Sequence, residues 1–141
     1  YMIVDLPPGT GDIHLSLVSE LDLTGAVIVS TPQDVALADA RKGVGMFKID
    51  AINVPVLGMI ENMSYFIPPD APEFKYHIFG RDGVKRLADT LKVPFLGELP
   101  LLQTIREAGD VGRPAVLQGD SEAAAAFRSV VANLLEVLGK K

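Results

Sequence analysis

Cysteine is absent from all 141 residues, which excludes disulfides, zinc–thiolate sites and cysteine-ligated clusters held by this chain alone. No apolar run approaches the roughly 20 residues of a membrane-spanning helix. No cluster of Lys and Arg interrupts a net charge of −5, so neither a membrane nor a nucleic-acid backbone is an expected partner. No Gly-x-x-x-x-Gly-Lys-Ser/Thr loop occurs, so a phosphate cradle of that kind is not among these residues. The chain starts inside an apolar run with no initiator Met or signal peptide, which reads as the cut end of a longer protein, and a soluble, cytoplasmic protein is expected. What remains is an ordinary globular composition, 48% apolar and 22% charged, at a length that fits one domain with a real core.

The stretch around which the chain is organised is its first twelve residues, Tyr1 to Asp12. Four apolar residues running into Asp5, with Pro7, Pro8, Gly9 and Gly11 behind, predict a buried parallel strand that ends at a ligand-facing loop. Ligands of open α/β sheets bind outside the carboxyl ends of the strands. A carboxylate there can hold a hydrated magnesium ion, which takes only one or two protein oxygens. Gly9 would offer a backbone N–H to a terminal phosphate with no Cβ in the way, and Pro7-Pro8 would stiffen the turn that aims it. A plain strand and turn, with Asp5 or Asp12 capping the next helix, accounts for the same residues.

Downstream, Asp12 is expected to cap a helix with Ile13, Leu17 and Leu21 on its buried face. His14, alone in the first turn, is expected to be solvated or locally bonded and receives no role. Ala26–Ser30 reads as a second buried strand, then Thr31 as an N-cap with Pro32 as first helical residue, and a helix presenting Ala36, Ala40, Gly43, Val44 and Phe47. Val56–Ile60 is a third strand delivering Glu61-Asn62-Met63-Ser64 to the same edge. The amide of Asn62 carries both a donor and an acceptor, as the edge of a purine requires, although turn backbone is the commoner partner of such an Asn.

Tyr65 to Phe79 breaks the pattern. It holds five of the chain's nine aromatics (Tyr65, Phe66, Phe74, Tyr76, Phe79) together with Pro68, Pro69 and Pro72. The prolines forbid a regular helix and the aromatics weigh against disorder, which leaves an interface or a loop folded on its own domain. After it come a helix with Val84, Leu87, Ala88 and Leu91 inward, a strand from Phe95 to Leu99, and a final helix capped by Asp120 or Ser121 with Phe127, Val131, Leu134 and Leu138 as its stripe. This alternation predicts a three-layer α/β domain on a parallel sheet.

Four separated strings resemble the Mrp-type ATPases, a branch of the MinD/ParA class of P-loop proteins associated with iron–sulfur cluster delivery. They are Asp5-Leu-Pro-Pro-Gly-Thr-Gly-Asp12, Thr31-Pro-Gln-Asp34 with the helix from Ala38 to Gly43, Glu61-Asn-Met-Ser-Tyr-Phe66, and Pro100-Leu101 followed by Ile105-Arg-Glu107 and Gly112-Arg-Pro114. The resemblance implies that residues 1–141 are the carboxyl-terminal part of one P-loop NTPase domain, incomplete at its amino-terminal side, with the phosphate loop before Tyr1. It implies ATP and magnesium as ligands, Asp5 and Gly9 as catalytic groups, and Pro8, Asn62, Pro100 and Leu101 as nucleotide contacts. It further implies a homodimer and apoprotein clients. The family's Cys-x-x-Cys pair falls at Pro68 and Ala71, neither of which ligates iron. The alternatives are therefore a cluster carrier, a nucleotide-switched adaptor without a cluster, and a MinD/ParA-like positioning ATPase. Asp70, Glu73 and His77 are the nearby hard donors, and solvated polar roles suffice for them.

Overall fold

A computed structural model describes residues 1–7, 9 and 11–139. The elements run α1 (Asp12–Glu20), β1 (Ala26–Ser30), α2 (Asp34–Phe47), β2 (Val56–Glu61), α3 (Gly83–Leu91), β3 (Phe95–Glu98), α4 (Gln103–Asp110), a 3-10 turn (Ala115–Leu117) and α5 (Glu122–Gly139). The three strands form a parallel sheet in the order β1-β2-β3.

Helices cover both faces, because successive strand residues point to opposite sides. On one face Met59 of β2 packs with Ala40 and Val44 of α2 and with Val84, Leu87 and Ala88 of α3. On the other, Ile60 and Leu96 pack with Val130 of α5, flanked by Phe127 and Leu134. A third cluster joins Val18 of α1 to Ala26, Met46, Phe47 and Val54. The expected three-layer parallel α/β domain is thus present.

Several local expectations are corrected. Residues 1–5 form no strand, and Tyr1, Met2 and Ile3 are almost fully exposed. A strand needs a neighbour to complete its ladder, and none of the described strands pairs with this segment. In α1 the cap is Gly11, with Asp12 already helical, and the buried side chains are His14 and Val18 while Ile13 lies open. In α2 the cap is Gln33, whose side-chain carbonyl accepts from Thr31 Oγ1, so Thr31 and Pro32 belong to the loop. In α5 Ser121 does cap, accepting from the Ala124 N–H at 3.2 Å, but Val130 is buried in place of the half-exposed Val131. The helix meets β3 along a line set by Phe127 and its i+3 and i+7 neighbours.

Candidate functional site at the carboxyl edge

Strand register builds the site. Ser30 lies beside Glu61, and Glu61 beside Glu98, so the three strands end level with one another. The ladder continues past them: the Asn62 N–H donates to the Ser30 carbonyl at 2.8 Å and the Leu99 N–H to the Glu61 carbonyl at 2.8 Å. Thr31, Asn62 and Pro100-Leu101 therefore leave the sheet at one edge, where a parallel α/β sheet binds its ligands.

Glu61 holds this edge together, and sequence reasoning gave it no role. It is fully buried; one carboxylate oxygen accepts from Ser64 Oγ at 2.8 Å and the other from the Val84 N–H at 2.8 Å. The second bond caps α3 from another element, because Asp82, the residue before the helix, makes no side-chain cap. Gly83 completes the junction: a Cβ there would overlap the Pro32 carbonyl, so the loop after β1 and the start of α3 can touch only through glycine. The one available signal was a carboxylate following five strand residues.

Asn62 is half-buried, and its Oδ1 accepts from the Met63 N–H at 3.0 Å. This is turn-satisfying use, and it holds Met63 in the left-handed region at φ 53°. No bond from its amide nitrogen is seen among the described residues, which leaves a donor for a ligand. Pro100 is buried, and the Leu101 N–H donates to the Tyr65 carbonyl at 2.7 Å. After Leu101 the chain enters α4, where Arg106 pairs with Glu107 and Asp110.

The 65–79 loop is ordered by backbone pairing. Phe66 and Tyr76 exchange hydrogen bonds at 2.8 and 2.9 Å in an antiparallel bridge, and Phe66 also bridges Leu101 in parallel. The His77 ring nitrogen Nδ1 lies 2.9 Å from the Ser64 carbonyl and so carries the proton. Phe74 and Tyr76 are half-exposed with ring centres 6.4 Å apart, whereas Phe66 and Phe79 are partly buried. Lys75 lies 4.2 Å above the Tyr65 ring. Burial first, then the charge and hydrogen bond of Glu122 and the charge of Glu98, push the Tyr65 hydroxyl up to about 12.

Asp5 and Gly9 make no bond to this edge among the described residues. Both are exposed, Gly9 has φ 104°, and no hydrogen bond or core contact among the described residues joins Asp5 to Asn62 or Pro100. Pro8 lies outside the described residues. The segment is held from below: Leu6 packs on the Val18 cluster, and His14 Nε2 lies 2.6 Å from the Pro7 carbonyl. His14 is thus buried and locally bonded, with no partner for Nδ1 among the described residues.

A parallel sheet with helices on both faces and its polar loops at the carboxyl edge defines the class: a P-loop-type α/β nucleotide-binding fold. A family model described as the NUBPL iron-transfer P-loop NTPases of the ParA group matches residues 1–135, and the chain belongs to that family. It is 49% identical over 98% of its length to the iron–sulfur cluster transfer protein NUBPL of Mus musculus, and 46% identical over 100% to the iron–sulfur cluster carrier protein of Aquifex aeolicus. It spans 43% and 38% of those relatives, less than half of each. Among solved structures, an ADP complex of a nucleotide-binding protein from Archaeoglobus fulgidus superposes with a TM-score of 0.67 at 37% identity, covering 77% of this chain and 43% of that one. The cell division ATPase MinD of Pyrococcus furiosus superposes at 0.57 with 27% identity, covering 81% and 43%.

The cluster-binding chemistry of the relatives' names does not fit this donor set. The chain has no thiol, and the described residues contain no group of three or more His, Asp or Glu placed to hold a metal. Magnesium makes a smaller demand, one or two carboxylates plus phosphate and water, which Asp5 can meet. No described helix is long and apolar enough to cross a membrane.

Proposed function

We propose that this chain is the carboxyl-terminal part of a P-loop NTPase domain that binds and hydrolyses ATP as a homodimer and grips a protein with its 65–79 loop. The observation that carries this reading is the loop itself: it is tied into the nucleotide-facing edge at Ser64, Phe66 and Leu101, exposes Phe74 and Tyr76, and has Pro68 and Ala71 in place of iron ligands. A switch of this kind needs one element that touches both the ligand edge and the partner.

In this reading Asp5 orients magnesium through water, and the ion neutralises charge developing on the transferred phosphoryl group. The Gly9 N–H faces the terminal phosphate. Asn62 donates its free amide to the base, beside the Pro100-Leu101 turn, with Pro8 completing the contacts. Asp5→Asn in the full-length protein should lower kcat about a hundredfold with little change in KM, since charge stabilisation acts in the transition state. Asn62→Ala should raise KM for ATP roughly tenfold at near-normal kcat. If Asn62→Ala leaves both KM and the preference for ATP over GTP untouched, the base-reading role is lost. Replacing Tyr65 and Phe66 together by alanine should weaken dimer or client binding while nucleotide affinity stays intact.

The relatives' names favour a second reading, a carrier of iron–sulfur clusters as cargo. Its ligands would have to be thiolates outside these residues. Anaerobic reconstitution separates the two: a chelator-resistant cluster on the 141-residue chain would restore the carrier reading for this loop.

A further inference from the structure

The segment that carries Asp5 and Gly9 is joined to the rest of the described protein by one hydrogen bond. No backbone N–H or carbonyl of the described residues before Gly11 takes part in another, and the bond is that between His14 Nε2 and the Pro7 carbonyl, at 2.6 Å. The imidazole that makes it is 5% exposed, on the first turn of a helix whose Val18 is anchored in the core. We propose that His14 is a positioning residue, a fixed Nε2–H donor that sets where the Asp5–Gly9 loop stands relative to α1.

The protonation pattern follows from the partners. A carbonyl oxygen can only accept, so Nε2 must carry a proton; a lone pair facing the carbonyl at this distance would be repelled. Nδ1 is buried with no acceptor in reach among the described residues, so a proton there would be an orphaned donor. The neutral Nε2–H tautomer is the one form that leaves no N–H unsatisfied. Val18, one turn on, holds the ring side of the helix against the Ala26 and Phe47 cluster, and Leu6 meets the same cluster from the other side of Pro7. Loop and helix thus share an apolar floor, and the hydrogen bond sets their register.

The consequence for chemistry rests on the reading of Asp5 and Gly9 as phosphate-side groups. Displacement of such groups by about 1 Å can cost on the order of a hundredfold in rate, so loss of the pin should act on kcat before KM. Glutamine at position 14 can place an amide N–H near the Nε2 position; leucine cannot.

The experiment uses the full-length protein and three readouts. Imidazole nitrogen NMR should show His14 as a persistent neutral Nε2–H tautomer; the Nδ1–H tautomer, or rapid averaging of the two, would overturn the pin. Hydrogen exchange at the Leu15 amide, which donates to the Gly11 carbonyl where the loop enters α1, should quicken about tenfold or more in His14→Leu and return toward wild type in His14→Gln; unchanged exchange in His14→Leu likewise overturns it. Turnover should fall about tenfold in His14→Leu at near-constant KM and recover to within about threefold in His14→Gln. Should His14→Leu fail to fold, the tautomer and the His14→Gln exchange pattern decide. If the pin holds by NMR and exchange while Asp5→Asn turns over normally, the phosphate-side reading fails and the positioning of the loop stands.

Discussion

Glu61 and Tyr65, four residues apart, show how single side chains hold the edge in place. Both oxygens of Glu61 are occupied in a site with no exposure, so Glu61→Ala leaves the Ser64 hydroxyl and the Val84 N–H without partners and opens a cavity. A loss of about 2–4 kcal/mol is expected in urea unfolding. Glu61→Gln should cost less than half of that, because one amide oxygen can still accept from Val84 while the Ser64 hydroxyl turns to accept from the amide nitrogen. Equal losses for the two would refute the capping role. Tyr65 makes a pH prediction. Its folded value, about 12, lies above the ordinary 10.0, so the folded state keeps the proton longer than the unfolded chain does. The stability it contributes is complete below pH 10.0 and falls away as pH rises toward about 12. Phenolate absorbance should show one late-titrating tyrosine that Tyr65→Phe removes, and Glu122→Gln should bring that step to lower pH.

At the scale of elements, the junction of α3 with the loop after β1 is the tightest contact of the edge. Gly83→Ala forces a methyl onto the Pro32 carbonyl, a backbone atom that cannot rotate away. A destabilisation of about 1–3 kcal/mol is expected, with the first turn of α3 exchanging its amides faster. Gly109→Ala in α4, where a Cβ meets nothing within 4 Å, is the matched control and should be neutral or slightly stabilising. The stripe of α3, with Val84, Leu87 and Ala88 inward, was readable in sequence because a helical period has only one apolar face there. The stripes of α1 and α5 were less so. In α1, Ile13, Leu15, Leu17 and Val18 offer two competing faces, and the choice of His14 and Val18 was made by the cluster below them.

For the whole molecule, the open edge of the sheet at β1 carries exposed apolar side chains. Val29 of the edge strand β1 is 56% exposed, and Tyr1, Met2 and Ile3 lie open with none of the described strands pairing with them. Unpaired edges with apolar side chains promote association. The 141-residue chain on its own should therefore self-associate at micromolar concentrations in sedimentation, and Val29→Lys should shift it toward monomer. Monomeric behaviour of the unsubstituted chain at high concentration would show that this edge is inert.

By itself the sequence determined the class of fold and the order of the elements from Ala26 onward. Period and length distinguish a two-face-buried strand such as Val56–Glu61 from an amphipathic helix such as Gly83–Leu91 without reference to any partner. It also determined, through the absence of thiols, that Pro68 and Ala71 cannot hold iron. Tertiary structure alone decided the rest. Residues 1–5 read as a strand by every local criterion, yet a strand exists only with a neighbour to bond, and none of the described strands pairs with them. Glu61 and His14 looked like a strand-end carboxylate and a solvated or locally bonded imidazole. Their burial, and hence their work in capping α3 and pinning Pro7, depends on groups 23 and seven residues away in the chain, a distance that no local pattern encodes.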